Sequence, residues 1–319
     1  MTDAGGRPRS TVALERWAVL APMTVARSHA AVAGWGGRLY VFGGGGPGFV
    51  ALNSAACYDP AKDAWTPIAP MPTARSGIVA VAFQNRIYVM GGGFKKPDGT
   101  FQFLTKVEIY DPEKDSWAKG PDLLRRHDAP AATVLGGRIY LMGGHLPDTP
   151  GGPLTDPAFG FSEMFDVVNG RWLELSPMPT PRFSLAAVLW EGRVLAMGGG
   201  AFRDGAFRNF DVVEEYNPTR GGWEASDVGP LPWPAAGVSA ARLEGAIYVF
   251  GGNDGTAIQA KAARFTRETG WKMLPPMPEP RAAAAAVALD GAIYLVGGRA
   301  ADGKTPTETV MVWQRTLNS

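Results

Sequence analysis

The sequence predicts an all-β protein made of many short strands, and three observations lead to this fold class. The chain has 319 residues, of which 45% are hydrophobic, so it can bury a full core. Its 42 glycines and 27 prolines exceed average usage, which favours turn-rich β structure over long helices. Short β-rich runs that end in a pair of glycines also recur along the chain, as in a repeat protein.

The repeats have a period of about 50 residues. The glycine pairs that define them are Gly43-Gly44, Gly91-Gly92, Gly143-Gly144, Gly198-Gly199, Gly251-Gly252 and Gly297-Gly298. A tryptophan recurs with the same period, at Trp17, Trp65, Trp117, Trp172, Trp223 and Trp271. An aromatic residue followed by a turn precedes five of these tryptophans, as in Tyr58-Asp-Pro, and a proline-rich stretch such as Met-Pro-x-x-Arg follows.

Together these motifs resemble the kelch repeat, and they cover nearly the whole chain, from about Trp17 to Trp313. The resemblance implies a six-bladed kelch β-propeller with four antiparallel strands per blade, here named a to d from the axis outward. Small residues dominate the expected a strands, such as the run AAAAAVAL of the last repeat. Such residues suit six strands that converge on one axis.

The repeat does not start cleanly, because Trp17 belongs to a d strand that no a, b or c strand precedes. We therefore expect the N-terminal strand, about residues 15–20, to complete the last blade and close the ring. The predicted organisation is a flexible N-terminus, residues 1–12, and one propeller domain, residues 13–319. Its predicted blades cover residues 24–72, 73–123, 124–179, 180–232, 233–278, and 279–316 plus 13–22.

Composition narrows the class of function. The net charge of +1 gives no long-range attraction to nucleic acid or to an anionic membrane. A single cysteine, Cys57, excludes an internal disulfide framework and a cysteine-based zinc site. No apolar run reaches the roughly 20 residues of a membrane span, and the N-terminus lacks an apolar stretch of signal-peptide length. We expect a cytoplasmic monomer without a cofactor or metal.

The variable chemistry lies on one predicted face, formed by the b–c loops and the d–a connections. In kelch families this face commonly binds ligands, and the resemblance implies the same here. Nine of the 15 phenylalanines fall in four b–c loops. We expect Phe94, Phe103, Phe161, Phe202 and Phe207 to line an apolar mouth, although such rings can also pack on each other and fix their own loops.

A basic residue stands 16 positions before each glycine pair in most repeats. The residues at or beside this position are Arg27, Arg75, Arg126, His127, Arg182, Trp233 and Arg281. The functional interpretation is a cationic ring around the axial opening that binds a carboxylate or phosphate. Arginines near this position bind acidic peptides in some kelch modules. The alternative is that each side chain caps backbone carbonyls within its own blade.

All three histidines, His29, His127 and His145, fall on this same face. We expect His127 and His145 to lie close together and to act as acid and base, because imidazole titrates near neutral pH. A metal site has no third ligand at a suitable spacing. Ordinary polar roles remain the alternative.

Two classes of function follow. The favoured prediction is a small or medium, partly apolar and anionic organic ligand in the axial mouth. A cofactor-independent isomerase, cyclase or lyase would convert it, with arginine as anion binder and histidine as proton carrier. The alternative is a non-catalytic kelch module that binds a partner peptide or protein on the same face.

Overall fold

A computed structural model describes residues 13–145, 158–203 and 205–317. These residues form six antiparallel blade sheets around one axis and one separate two-stranded sheet, and this arrangement confirms the predicted propeller. The predicted flexible N-terminus, residues 1–12, lies outside the described residues.

The strands follow the repeats along the chain. The first strand is β1 (Ala13–Leu20), and blade 1 contains β2 (Ala31–Trp35), β3 (Arg38–Phe42), β4 (Ala55–Asp59) and β5 (Ala64–Ile68). One turn of 3-10 helix, Pro47–Phe49, lies in its b–c loop. Blade 2 contains β6 (Ser76–Phe83), β7 (Arg86–Lys95), β8 (Phe101–Phe103), β9 (Val107–Asp111) and β10 (Ser116–Lys119). Blade 3 contains β11 (Ala131–Leu135), β12 (Arg138–Met142), β13 (Ser162–Asp166) and β14 (Arg171–Leu175).

The second half of the chain repeats this pattern. Blade 4 contains β15 (Ala186–Trp190), β16 (Arg193–Met197), β17 (Gly200–Arg203), β18 (Ala206–Asn209), β19 (Val213–Asn217) and β20 (Gly222–Ala225). Blade 5 contains β21 (Ser239–Leu243), β22 (Ala246–Phe250), β23 (Ala262–Thr266) and β24 (Gly270–Met273). Blade 6 contains β25 (Ala285–Leu289), β26 (Ala292–Val296) and β27 (Val310–Leu317).

The N-terminal strand completes blade 6, as the sequence predicts. β1 pairs with β27 in antiparallel register from Ala13 opposite Leu317 to Leu20 opposite Val310, so the sheet order is β1-β27-β26-β25. Trp17 packs against Trp313 with ring centroids 5.1 Å apart. The two ends of the chain therefore close the ring with a full set of ladder hydrogen bonds, which leaves no open strand edge between them.

The six a strands surround a narrow axial channel with a volume of about 180 Å³. Alanine, glycine, valine, isoleucine and leucine supply most of its wall, and His29 is the one titratable residue among those that line it. The strands β2, β6, β11, β15, β21 and β25 each contact both neighbours around the axis. Small side chains are needed here because the strands are closest at this point.

A closed ring of six backbone hydrogen bonds stands at one end of the channel. Each N–H donates to the carbonyl oxygen of the equivalent residue in the preceding blade, over 2.7 to 3.1 Å. The ring residues are His29, Gly77, Ala129, Ser184, Gly237 and Ala283. All six have positive φ, between 50° and 70°, although only two of them are glycines. The ring therefore ties every blade to the next at the axis and defines the axial entrance.

Candidate functional site

The b–c loops and the d–a connections lie at the same end of the blades, where they pair with each other, and we call this end the loop-rich face. In every blade the residue after the basic position pairs with the residue after the glycine pair. The pairs are Ser28 with Gly45, Ser76 with Gly93, Asp128 with His145, Phe183 with Gly200, Ala236 with Asn253 and Ala282 with Arg299. The second glycine of each pair must lie close to this connection: a Cβ on Gly92 would stand 2.3 Å from the carbonyl oxygen of Ser76.

The recurring arginines do not point into the axial opening. Arg27, Arg75, Arg182 and Arg281 are at most 2% exposed. Nη1 of Arg75 donates to the carbonyl oxygen of Gly91 over 2.7 Å, and its Nη2 donates to Glu108 Oε2 over 2.9 Å. Nη1 of Arg27 donates to the carbonyl oxygen of Gly43 over 2.8 Å. Burial lowers the pKa of Arg27 to about 10.

His127 takes the arginine's place in blade 3 with the same partners. It is fully buried, and its Nδ1 lies 2.6 Å from the carbonyl oxygen of Gly143 while its Nε2 lies 2.9 Å from Glu163 Oε1. Because a carbonyl oxygen only accepts, Nδ1 carries a hydrogen. Both ring nitrogens are therefore held by the protein.

Blade 5 has no basic residue here, and Trp233 replaces it from two residues earlier in the chain. Its Nε1 donates to the carbonyl oxygen of Gly251 over 2.9 Å, while Ala235 is fully buried. The same carbonyl of the first glycine is thus bound by arginine, histidine or tryptophan in different blades. This is the carbonyl-capping alternative to the predicted cationic ring.

Sequence reasoning missed the acidic partners of these residues. Glu108, Glu163 and Glu214 occupy one position of the c strand in blades 2, 3 and 4, and each is buried. Arg182 donates to Glu214 over 2.5 Å. The sequence did contain a signal for this pairing, because blades 2, 3 and 4 each have both a basic residue at the recurring position and a glutamate in the c strand. A role for the arginine ring or for His127 in ligand binding stays a prediction that this geometry does not support.

His145 lies in an aromatic setting apart from the polar partners of His127. Its ring centroid stands 5.9 Å from that of Phe103 and 5.0 Å from that of Phe183. His127 and His145 are thus close along the backbone, because Asp128, which follows His127, pairs with His145. Their two rings nevertheless have different partners. Phe183 was not among the predicted site residues.

Six rings form a continuous row across blades 2 to 4, which we call the aromatic row. Its members are Phe101, Phe103, His145, Phe183, Phe202 and Phe207. Neighbouring ring centroids stand 5.0 to 6.4 Å apart. Both ends reach the surface, where Phe101 is 45% and Phe207 36% exposed. The rings therefore pack on each other and also present an apolar surface.

Two of the loops that carry the row are short hairpins. β7 runs beyond its blade to Lys95 and pairs with β8, and β17 pairs with β18 so that Phe202 lies opposite Phe207. Such pairing fixes the rings on backbone ladders. Phe94 is half-buried on the first hairpin.

Two further predicted ligand residues, Phe161 and Arg126, belong to blade 3. Phe161 stacks on Phe159 with centroids 6.1 Å apart, and the guanidinium of Arg125 stands 5.4 Å from its ring centroid. Arg203 covers Phe210 in the same way at 4.9 Å. Arg126 is exposed. These cation–π contacts place positive charge over phenylalanine rings of the loop-rich face.

Three charged or titratable residues from different blades lie in or next to the ring of backbone hydrogen bonds. His29 of blade 1 is a ring residue, Asp128 of blade 3 precedes the ring residue Ala129, and Arg299 of blade 6 pairs with Ala282, next to the ring residue Ala283. Burial raises the pKa of Asp128 to about 7, and the charge of Arg299 offsets part of this rise. Burial and then the charge of Arg299 lower the pKa of His29 to about 3. Sequence reasoning predicted neither Asp128 nor Arg299, because neither recurs in the repeats.

Within residues 13–145, 158–203 and 205–317, no group of three or more histidine, cysteine, aspartate or glutamate side chains could hold a metal ion. None of the helices in that part of the chain is long and apolar enough to cross a membrane.

Comparison with known proteins agrees with this architecture. Residues 11–199 match the model of the KLHDC2/KLHL20/DRC7 Kelch-repeats domain, which is more than half of the chain. The chain belongs to the kelch-repeat family. Kelch-like protein 36 of Bos taurus is 28% identical over 244 residues, which are 75% of this chain and 38% of that protein. This chain therefore spans well under half the length of that relative.

Other similarities are shorter or concern the fold alone. Kelch repeat and BTB domain-containing protein 13 of Homo sapiens is 33% identical over 141 residues, which cover 44% of this chain and 28% of that protein. The solved structure titled "Structure of YjhT" superposes with a TM-score of 0.78 at 19% identity, and covers 94% of this chain and 99% of that one. This similarity supports the six-bladed fold of the kelch chain.

Proposed function

We propose that this kelch propeller binds a peptide segment of a partner protein on its loop-rich face, through apolar and acidic side chains of the partner. The observation that carries the proposal is the aromatic row, with its two exposed ends on blades 2 and 4. Aromatic rings dominate the energetics of protein interfaces because they bury a large area at a small cost in entropy. A row of rings across three blades suits an extended segment better than a compact small molecule.

The charge beside the row favours acidic residues in the partner. Lys95, Arg203 and Arg208 are exposed on the two hairpins, and Arg125 and Arg126 are exposed on the connection between them. Asp98 and Asp211 also lie in these loops, but the five exposed basic residues outnumber these two carboxylates. Arginine beside an aromatic ring can pair with a carboxylate while the ring packs on a neighbouring apolar side chain.

The small-molecule enzyme that the sequence favours has less support in the geometry. His127 is buried between Gly143 and Glu163, and the recurring arginines are bound to carbonyl oxygens and glutamates. A group that moves a proton needs to reach the substrate directly or through one water molecule. Catalysis by His127 and His145 therefore stays a prediction, and the binding module is the proposal.

Selection from a displayed peptide library followed by affinity measurement tests the proposal. We expect enriched peptides that combine acidic with aromatic or aliphatic residues. Phe101→Ala and Phe207→Ala should each weaken binding of such a peptide about 30-fold or more, as loss of an aromatic anchor typically does. Met273→Ala is the matched control, because Met273 is an even more exposed apolar residue and lies on the outer strand β24.

The result that contradicts the proposal is also defined. If no peptide is enriched over an unrelated propeller, or if Met273→Ala weakens binding as much as Phe207→Ala, the aromatic row is not the binding surface.

A further inference from the structure

The aromatic row is exposed at its two ends and largely covered between them. Phe101 and Phe207 are 45% and 36% exposed, whereas Phe103 is 9% and His145 5% exposed. Phe183, the next ring of the row, is half-buried. A partner therefore meets two separate apolar contact points, one on the hairpin of blade 2 and one on the hairpin of blade 4.

The rings between these two points limit how far apart the points lie. Successive ring centroids from Phe101 through Phe103, His145 and Phe183 to Phe207 stand 6.1, 5.9, 5.0 and 5.6 Å apart. The direct distance cannot exceed the length of this path, so the two end centroids are at most about 23 Å apart. An extended chain advances about 3.3 Å per residue, so about seven positions of an extended segment span this distance.

The charge beside the two ends is not symmetric. Lys95 lies opposite Phe101 in the pairing of β7 with β8, so its exposed side chain stands on the same face of the hairpin as that ring. In the other hairpin Phe207 lies opposite Phe202, and Arg208 projects from the other face because successive side chains of a strand alternate. A cation thus accompanies the exposed ring of blade 2, while the cation next to the exposed ring of blade 4 points to the other side.

We infer that the partner segment carries two apolar anchor side chains at most about seven positions apart, one bound at Phe101 and the other at Phe207, with an acidic residue beside the anchor at Phe101. This inference rests on the proposed peptide binding and specifies the class of segment that the surface takes. The two anchors reinforce each other, because binding of the first holds the second at a high local concentration. The carboxylate pairs with Lys95 at an exposed position, where an ion pair contributes little, so the anchors supply most of the affinity.

A series of synthetic peptides with stiff spacers tests this inference on the full chain. Each peptide has two tryptophans separated by prolines, which hold an extended conformation of about 3.1 Å per residue, and one-anchor peptides have serine in place of one tryptophan. With spacers of up to about six prolines, we expect the best two-anchor peptide to bind at least about tenfold more tightly than the one-anchor peptides. A spacer of about 12 prolines holds the tryptophans roughly 40 Å apart and should remove this advantage.

Two variants distinguish binding at both ends from binding at one. Phe101→Ala and Phe207→Ala should each reduce the best two-anchor peptide to the affinity of a one-anchor peptide. A one-anchor peptide should lose no more than about twofold in either variant, because the other end remains available, and should lose its binding when both substitutions are combined. Met273→Ala is again the control and should change neither peptide's affinity.

Added glutamates test the acidic position. One glutamate beside a tryptophan of the best two-anchor peptide should improve its affinity about threefold, and a second glutamate beside the other tryptophan should add less. Lys95→Gln should cancel the gain from the first glutamate, whereas Arg208→Gln should reduce it less. Lys272→Gln, at an exposed lysine of β24, is the matched control.

Four results overturn the inference. These are a one-anchor peptide that binds as tightly as every two-anchor peptide, equal affinity at all spacer lengths, a two-anchor peptide that keeps its affinity in Phe101→Ala or Phe207→Ala, and a glutamate gain that Lys95→Gln leaves unchanged. If peptides selected from the displayed library still bind at the aromatic row, the proposed function stands and only its two-anchor form is wrong. If neither the selected peptides nor the designed series binds, both are wrong.

Discussion

Blades 2, 3 and 4 are nearly interchangeable in their interiors but carry three unrelated loops on their surface. Inside, Arg75, His127 and Arg182 each have a buried glutamate of the c strand as partner. Outside, blade 2 ends in an extended hairpin and blade 4 in a separate two-stranded hairpin, while most of the corresponding loop of blade 3 lies outside the described residues. The difference indicates that recurring residues serve the propeller itself, and it agrees with the proposal that residues without a counterpart in other blades bind the partner.

This comparison predicts its largest effect at the ring closure. Deletion of residues 1–22 should unfold the protein or cause aggregation, because β1 supplies the outer strand of blade 6 and Trp17 donates to the carbonyl oxygen of Pro275 over 3.0 Å. Deletion of residues 1–10 is the control and should leave the melting temperature nearly unchanged. A folded, monomeric fragment 23–319, judged by circular dichroism and gel filtration, would show that closure depends on other contacts.

The recurring ion pairs should give the next largest effect. Arg182→Met leaves Glu214 buried without its cation, which typically costs about 3 to 5 kcal/mol of unfolding free energy. Urea denaturation measures this loss, and Arg220→Met, at an exposed arginine paired with Glu224, should cost less than about 1 kcal/mol.

A double variant separates the ion pair from simple packing. Arg182→Met combined with Glu214→Met should regain part of the loss, because it removes the unpaired charge as well. If Arg182→Met instead keeps its stability and loses ligand binding, the cationic ring predicted from the sequence is the better interpretation.

The sequence predicted the fold well because each structural rule is repeated six times. The glycine pairs, the tryptophans and the small a strands mark every blade, and the missing strands before Trp17 predicted the closure by β1. Because the pattern is repeated, one exception does not change the predicted fold. An example is blade 5, where Trp233 substitutes for an absent basic residue.

The candidate site was harder to predict for the same reason. Sequence reasoning interprets the recurring arginines as ligand-binding residues, but they recur because they have a structural role. Their glutamate partners are distant in sequence, as Glu108 is from Arg75, about 33 residues away. The charge of Arg299 acts on Asp128 only because ring closure brings blades 3 and 6 to the same axis. No sequence spacing shows such an interaction, since it depends on closure of the whole ring.

The axial entrance should give a smaller, pH-dependent effect on stability. The pKa of Asp128 is about 7 in the folded protein, above its ordinary 3.8, so the stabilisation by its protonated form is complete below pH 3.8 and is lost as pH rises through 7. His29 acts in the opposite sense: its pKa falls from 6.5 to about 3, so stability is lost as pH falls from 6.5 towards 3.

Asp128→Asn isolates the first of these contributions. The substitution should raise the melting temperature more at pH 8 than at pH 5, because the amide resembles the protonated acid at both values. Asp98→Asn is the control, since hydrogen bonds from Thr100 lower the pKa of this exposed loop carboxylate and both pH values lie above it. An equal gain at pH 5 and pH 8 would mean that Asp128 is ionised in the folded protein throughout this range.

The smallest expected effect on stability distinguishes the surface of the aromatic row from its base. Phe101 and Phe103 stack on each other with centroids 6.1 Å apart, but Phe101 is exposed whereas Phe103 is buried. Phe101→Ala should therefore change the unfolding free energy by no more than about 0.5 kcal/mol, as is usual for surface positions, and still weaken peptide binding. Phe103→Ala should cost at least about 2 kcal/mol of unfolding free energy, because it removes a buried ring that packs against His145.

Urea denaturation and peptide affinity, measured on the same preparations, give both quantities. If Phe101→Ala destabilises the protein as much as Phe103→Ala, the exposed ring is part of the core of its hairpin, and the division between a structural interior and a recognising surface fails at this loop.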